Sequence, residues 1–131
     1  MTCCKEDVDV VLDIARAACT IDYPQDHFRV IVLDDSKDPE LEKAISDLSI
    51  VYPNLYYHAR IKIEGVPHYF KAGNLTRGTE FVTKLEGGSS EFIVALDADM
   101  IPELEWLRSI IAHIVIDEGM ALVCLPQVCR L

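Results

Sequence analysis

Phe92-Ile93-Val94-Ala95-Leu96-Asp97-Ala98-Asp99-Met100 runs five apolar residues straight into two carboxylates spaced i, i+2. A short continuous apolar run suits a strand buried on both faces of a parallel sheet, so a strand is expected over 91–97. Residues two apart in a strand point to the same side, which would turn Asp97 and Asp99 toward one crevice at the strand's carboxyl end. Open α/β sheets bind ligands there. Two hard oxygen donors at that place suit Mg²⁺ or Mn²⁺ carrying phosphate groups. The alternative is a solvated acidic turn after a core strand.

Outward from this stretch, the chain alternates helical and strand patterns. Residues 6–20 read as a helix, with Val8, Val11, Leu12, Ala15, Ala18 and Cys19 on one face and Glu6, Asp7 and Asp9 suiting its N-terminus. A strand follows over 28–33 and also ends on acids, Asp34-Asp35-Ser36. Asp38-Pro39 has the form of an N-cap followed by Pro at the first helical position, opening a helix to Ser49 with Leu41, Ala44, Ile45 and Leu48 inward. A third strand is expected over 55–61 and a loop over 62–70. Lys71 opens a helix to residue 85, and Gly87-Gly88-Ser89-Ser90 breaks it. Pro102 begins a helix with Leu104, Leu107, Ile111 and Ile114 on one stripe, and a last strand is expected over 121–125. The expectation is one α/β domain, Rossmann-like, with a mainly parallel sheet and flanking helices.

The totals narrow the function. The chain has 131 residues, half of them hydrophobic, and a formal net charge of -10. That balance disfavours nucleic acid and anionic membranes as partners. The five cysteines, Cys3, Cys4, Cys19, Cys124 and Cys129, form no zinc-type spacing and read as reduced thiols in or near the core. Met1 leads directly into Thr2-Cys3-Cys4 without a signal-peptide pattern, and no run of about 18 apolar residues occurs, so a soluble cytoplasmic chain is expected.

In a parallel sheet the two acidic strand ends share one edge. Carboxylates crowded there repel one another unless a cation or a hydrogen-bond donor intervenes. Asp34-Asp35 suits ribose or base groups, or alternatively a helix-capping loop. Lys71-Ala72-Gly73-Asn74-Leu75 sits at an expected helix start, where backbone amides and a lysine can meet a diphosphate. His27, His58, His68 and His113 stand apart from other ligands and read as structural or surface residues, and Trp106 reads as packing. No P-loop, G-x-G-x-x-G or G-x-S-x-G is present.

Taken in order, several motifs carry a resemblance. They are Thr2-Cys3-Cys4-Lys5-Glu6-Asp7, Ala18-Cys19-Thr20-Ile21-Asp22-Tyr23-Pro24, Val32-Leu33-Asp34-Asp35-Ser36, Lys71-Ala72-Gly73-Asn74-Leu75, Ala95-Leu96-Asp97-Ala98-Asp99 and Pro126-Gln127. The chain resembles the donor-binding, N-terminal half of a GT-A-fold inverting glycosyltransferase of family two, nearest the cellulose synthase-like processive synthases. The resemblance implies a UDP-sugar donor, a glycan or other hydroxyl acceptor and Mn²⁺ or Mg²⁺. It implies that Asp35, with Asp34 beside it, contacts the uracil and ribose. It places Lys71 near the diphosphate and makes Asp97 and Asp99 the Asp-x-Asp pair, with Asp99 the direct metal ligand. Thr2 and Glu6 match the first nucleotide-binding strand and its loop, although Cys3-Cys4 replaces the usual Tyr-Asn and Thr76 replaces a frequent Asn.

The resemblance also implies a catalytic base, in a Thr-Glu-Asp motif, and a Gln-x-x-Arg-Trp motif beyond Leu131. It implies membrane anchoring of full-length members with a cytosolic site. The family's first strand would lie between the strand ending at Asp35 and the one ending at Asp99, and here it is truncated. The expectation is therefore a fragment, marginal alone, that needs the remainder of the synthase as a partner. Two further readings remain: a haloacid-dehalogenase-like phosphotransferase, to which Asp97-Ala98-Asp99 is similar, and an inactive remnant.

Overall fold

The computed structural model describes residues 1–117, 119–120 and 122–123. Three parallel strands, β1 (Thr2–Cys3), β2 (Val30–Asp34) and β3 (Leu55–Ala59), form one sheet in the order β1-β2-β3. Helix α1 (Val8–Cys19) and a short 3-10 turn (Gln25–His27) join β1 to β2, and α2 (Pro39–Ser49) joins β2 to β3. Helices α3 (Phe70–Val82) and α4 (Trp106–Ile116) follow. No helix among the described residues is long and apolar enough to cross a membrane.

The first two helices start where their caps dictate. The Asp7 carboxylate accepts from the Asp9 amide at 2.9 Å, and the Asp38 carboxylate accepts from the Glu40 amide at 2.9 Å with Pro39 next in line. α1 buries Val11, Ile14, Ala15, Ala18 and Cys19, while Val8 and Leu12 are only partly buried. α2 buries Leu41 and Ile45. Both helices pack on one face of the sheet, against Val30 and Val32. α3 covers the other face: a Cβ on its Gly78 would come within 2.5 Å of Leu33 Cδ1. β2 is thus the strand enclosed on both faces, as in a doubly covered parallel sheet.

The stretch 91–97 departs from expectation. It is not a ladder strand: one isolated parallel bridge joins Asp97 to Thr2, where the Thr2 amide donates to the Leu96 carbonyl at 3.2 Å. Its burial alternates, with Leu96 and Ala98 inward and Ile93 73% exposed. β1, its neighbour, contributes two residues, so the rest of the stretch has no strand to pair with on that side.

α4 begins at Trp106 rather than at Pro102: the Leu104 carbonyl accepts from the Asp22 amide at 2.7 Å, and 104–105 form a turn ahead of the helix. Leu104 is exposed, and Leu107 and Ile110 carry the buried stripe. Cys3 and Cys19 are buried free thiols and Cys4 is exposed. The expected strand over 121–125 falls largely outside the described residues, as do Cys124, Pro126-Gln127 and Cys129. Leu122 and Val123 are described and are not in a strand.

Candidate functional site

All three strands run the same way, so their carboxyl ends meet at one edge of the sheet. Cys3 pairs with Asp34 on one side of β1, and Thr2 bridges Asp97 on the other. The two acidic ends therefore flank the end of β1. The loop after β1 closes on the loop after β2: the Asp35 amide donates to the Cys3 carbonyl at 2.9 Å, and the Lys5 amide to Ser36 Oγ at 3.4 Å. Lys5, Lys37, Tyr69 and Phe70 are the non-glycine residues with left-handed φ among those described, and all four lie at this edge. Such strain persists only where surrounding structure holds it, and it gathers at functional sites.

The two members of the first acid pair do different work. Asp34 is 0% exposed. Its Oδ1 accepts from the Ser36 amide at 2.7 Å and from Ser36 Oγ, and its Oδ2 accepts from the Asp38 amide at 2.7 Å and Tyr57 Oη at 2.8 Å. Burial pushes this carboxyl up, but hydrogen bonds from Ser36, Asp38 and Tyr57 outweigh it and hold the group below the ordinary carboxylate range. Asp34 thereby shapes the β2–α2 loop. Asp35 instead meets two cations, Arg60 through Nε and Lys62 at 3.0 Å. Burial opposes ionisation there too, and the two cations win, holding its pKa low.

Arg60 is the residue that sequence reasoning missed. It lies just past β3, is 8% exposed, and donates to the carbonyls of His68 and Phe70 as well as to Asp35. One guanidinium thus fixes the loop 61–69 and the entry into α3. The signal was an arginine directly after an apolar strand, which alone does not reveal a buried partner. Gly73 belongs to the same device: a Cβ there would fall 2.0 Å from the His68 carbonyl oxygen and 2.5 Å from an Arg60 nitrogen. Its close approach is to this protein's own backbone. Asn74 anchors the next turn, donating through Nδ2 to the Leu33 carbonyl at 2.9 Å.

These anchors bring Lys71 to the second acid pair, where its ammonium makes an ion pair with Asp97. Both side chains remain about half exposed, so this contact is exchangeable with solvent and ligands. Asp99 is exposed on the same turn, with buried Ala98 between the two acids. Thr2 sits in β1 between β2 and Asp97. Glu6 is exposed, and its carboxylate accepts from the Cys4 amide.

The edge thus gathers Thr2, Glu6, Asp34, Asp35, Lys71, Asp97 and Asp99. Among the described residues no group of three or more His, Cys, Asp or Glu side chains is placed to hold a metal ion. Asp97 and Asp99 offer two hard oxygen donors, a set that suits a divalent cation taking its other ligands from phosphate and water. His58 stacks on Phe81 with ring centroids 4.6 Å apart, and Trp106 packs against the core, as expected of structural residues.

Comparison with known proteins bears on this arrangement. The description "Glycosyl transferase family 2" matches residues 1–129. The chain is 29% identical over 122 residues to the cellulose synthase catalytic subunit [UDP-forming] of Komagataeibacter sucrofermentans, covering 93% of this chain and 14% of that protein. It is 31% identical over 111 residues to probable glucomannan 4-beta-mannosyltransferase 4 of Oryza sativa subsp. japonica (82% and 19%). It is 30% identical over 107 residues to glucomannan 4-beta-mannosyltransferase 2 of Arabidopsis thaliana (82% and 20%). The chain thus spans no more than a fifth of the length of these curated relatives. The crystal structure of S. aureus TarS 1-349 superposes with a TM-score of 0.60 at 20% identity, covering 96% of this chain and 37% of that one. The architecture is that of part of a GT-A domain. The parallel sheet is that of part of a glycosyltransferase domain, and the chain belongs to glycosyl transferase family 2.

Proposed function

We propose that the carboxyl edge of the sheet is the donor site of an inverting glycosyltransferase, taking a UDP-sugar with Mn²⁺ or Mg²⁺ for transfer to a glycan or other hydroxyl acceptor. The observation that carries this reading is the meeting of Lys71 with Asp97, beside exposed Asp99 and next to the end of β1. A chain of net charge -10 needs local cations to receive an anion. Lys71 provides one, and its half-exposed pair with Asp97 is weak enough to be exchanged.

Each residue then has a stated task. Asp35, held in orientation by Arg60 and Lys62, accepts hydrogen bonds from the uracil and ribose. Asp34 supports it from below by fixing the loop. Thr2 and Glu6 line the side of β1. Lys71, released from Asp97, would meet the diphosphate, and Asp97 and Asp99 would hold the cation, with Asp99 as its direct ligand. The bound cation supplies charge neutralisation to the departing diphosphate. The printed name of the cellulose synthase relative, UDP-forming, supports uridine as the nucleotide.

Titration calorimetry of UDP into the folded chain, with and without Mn²⁺, tests the reading. Metal-dependent binding that Asp99→Asn abolishes supports it. A chain shown by circular dichroism to be folded, yet binding no UDP with Mn²⁺ present, would overturn it.

A further inference from the structure

Phe70 breaks two rules at once. It is the most exposed large hydrophobic side chain among the described residues, at 86%, and its φ is +42°. A bulky residue in the left-handed region is an outlier. An exposed ring forgoes the burial that ordinarily stabilises an aromatic side chain. Glycine would take this backbone at lower cost. The ring therefore answers to something other than the turn into α3.

Its surroundings point to a class of ligand. The Arg60 guanidinium donates through Nη2 to the Phe70 carbonyl at 3.1 Å and through Nε to Asp35. One buried, planar group thus fixes the backbone of residue 70 against the carboxylate proposed to meet the uracil and ribose. The next residue is Lys71, whose ammonium pairs with Asp97 where the diphosphate and cation are proposed to lie. Phe70 thus joins the nucleoside end of the donor site to its phosphate end. Asp35 can accept from the polar edge of a base, but an edge contact leaves the faces of the base uncovered. An aromatic ring supplies a face. Tyr69 is the neighbouring candidate, exposed and left-handed too, but its carbonyl accepts from the Gly73 amide at 3.1 Å inside α3 rather than from Arg60.

We infer that Phe70 is the stacking surface for the base of the donor nucleotide, with Asp35 at the polar edge of that base and Lys71 at the diphosphate. The inference rests on the donor-site reading and adds its base contact. Stacking recovers burial for a ring that otherwise lies in water. It is also tolerant of base identity, because every base has a π-face, so Phe70 supplies affinity and Asp35 the choice of base.

Calorimetric titration of the full chain with Mn²⁺ present tests this with two probes, UDP and inorganic pyrophosphate, which has no base. Phe70→Ala and Phe70→Leu should each weaken UDP binding about tenfold and leave pyrophosphate binding unchanged. Leucine keeps apolar bulk at the position, so a matching loss isolates the π-face, and Phe70→Tyr should restore UDP binding. Tyr69→Ala should bind UDP as the wild type does. Nuclear Overhauser contacts should join the uracil ring protons to the Phe70 ring in the wild-type chain. Three results would overturn the inference: unchanged UDP affinity in Phe70→Ala, an equal loss for UDP and pyrophosphate, or the loss appearing in Tyr69→Ala instead. A wild-type chain that binds no UDP would overturn the donor site as well, whereas wild-type binding that Phe70→Ala leaves intact removes the stacking role alone.

Discussion

Asp34 ends a strand that is hydrogen-bonded on both sides, whereas Asp97 ends a stretch held to the sheet by one bridge. Around Asp34 every carboxylate lone-pair direction in use points to this protein's own donors, and the side chain is sealed from water. Asp97 instead pairs with a half-exposed lysine, and Asp99 is exposed. Where the backbone is saturated, a carboxylate can be spent on holding the loop in shape. Where it is not, the carboxylates stay free to exchange partners with a ligand. Asp35 lies between these cases, paired to Arg60 and Lys62 at the rim.

The sharpest way to break this contrast is to remove Asp34. Asp34→Ala leaves the Ser36 and Asp38 amides and the Tyr57 hydroxyl without an acceptor, and we expect a loss of about 4 kcal/mol in urea unfolding. Acid should act through the same groups. Asp34 and Asp35 have folded pKa values below the unfolded carboxylate value of about 3.9, so the folded state binds fewer protons as pH nears that range. Their contribution is complete above the unfolded pKa and is lost as pH falls through the folded values. Urea midpoints measured from pH 7 to pH 3 should therefore fall, and fall less steeply in Asp34→Asn.

Arg60→Ala should come next, at about 3 kcal/mol, because it removes the better-buried partner of Asp35 and releases the His68 and Phe70 carbonyls. Hydrogen exchange in the loop 61–69 should rise with it. Gly73→Ala should cost about 2 kcal/mol despite the better helix propensity of alanine, since its Cβ meets a backbone oxygen rather than a movable side-chain tip. The smallest effect belongs to the open pair. Asp99→Asn should change unfolding stability by no more than about 0.5 kcal/mol, and any larger loss would mean that the second acid pair is architectural too.

Much of the fold was legible because its signals are local. The Asp38-Pro39 start of α2, the Val-Ile-Val-Leu run of β2 and the apolar face of α1 are each fixed within a few residues, and each stands where the sequence placed it. The stretch 91–97 shows the limit. Its composition is that of a strand covered on both faces, but strand formation needs a neighbour, and β1 supplies two residues. Composition reports what a segment can bury and not whether a partner backbone is alongside.

The site was legible in the same uneven way. Acids after apolar strands predict a shared edge, because parallel strands leave no other arrangement, and the structure brings Asp34–Asp35 and Asp97–Asp99 to the two sides of β1. Which acid turns inward cannot be read from two adjacent aspartates. Asp34 is enclosed because it pairs across to Cys3 while Ser36, Asp38 and Tyr57 converge on it, and that convergence spans more than twenty residues of chain. Arg60 was invisible for the same reason, since its carboxylate partner Asp35 lies 25 residues back while its carbonyl partners His68 and Phe70 lie 8 and 10 residues ahead.

The most direct measurement is paramagnetic line broadening of assigned amide signals on adding Mn²⁺ and UDP together. The account predicts the strongest broadening at Asp97–Met100 and near Lys71, weaker broadening at Asp35, and no loss of the Asp34-centred hydrogen bonds. Broadening centred on other acids, such as Asp7 and Glu40, or a signal at 97–100 unchanged in Asp99→Asn, would contradict it.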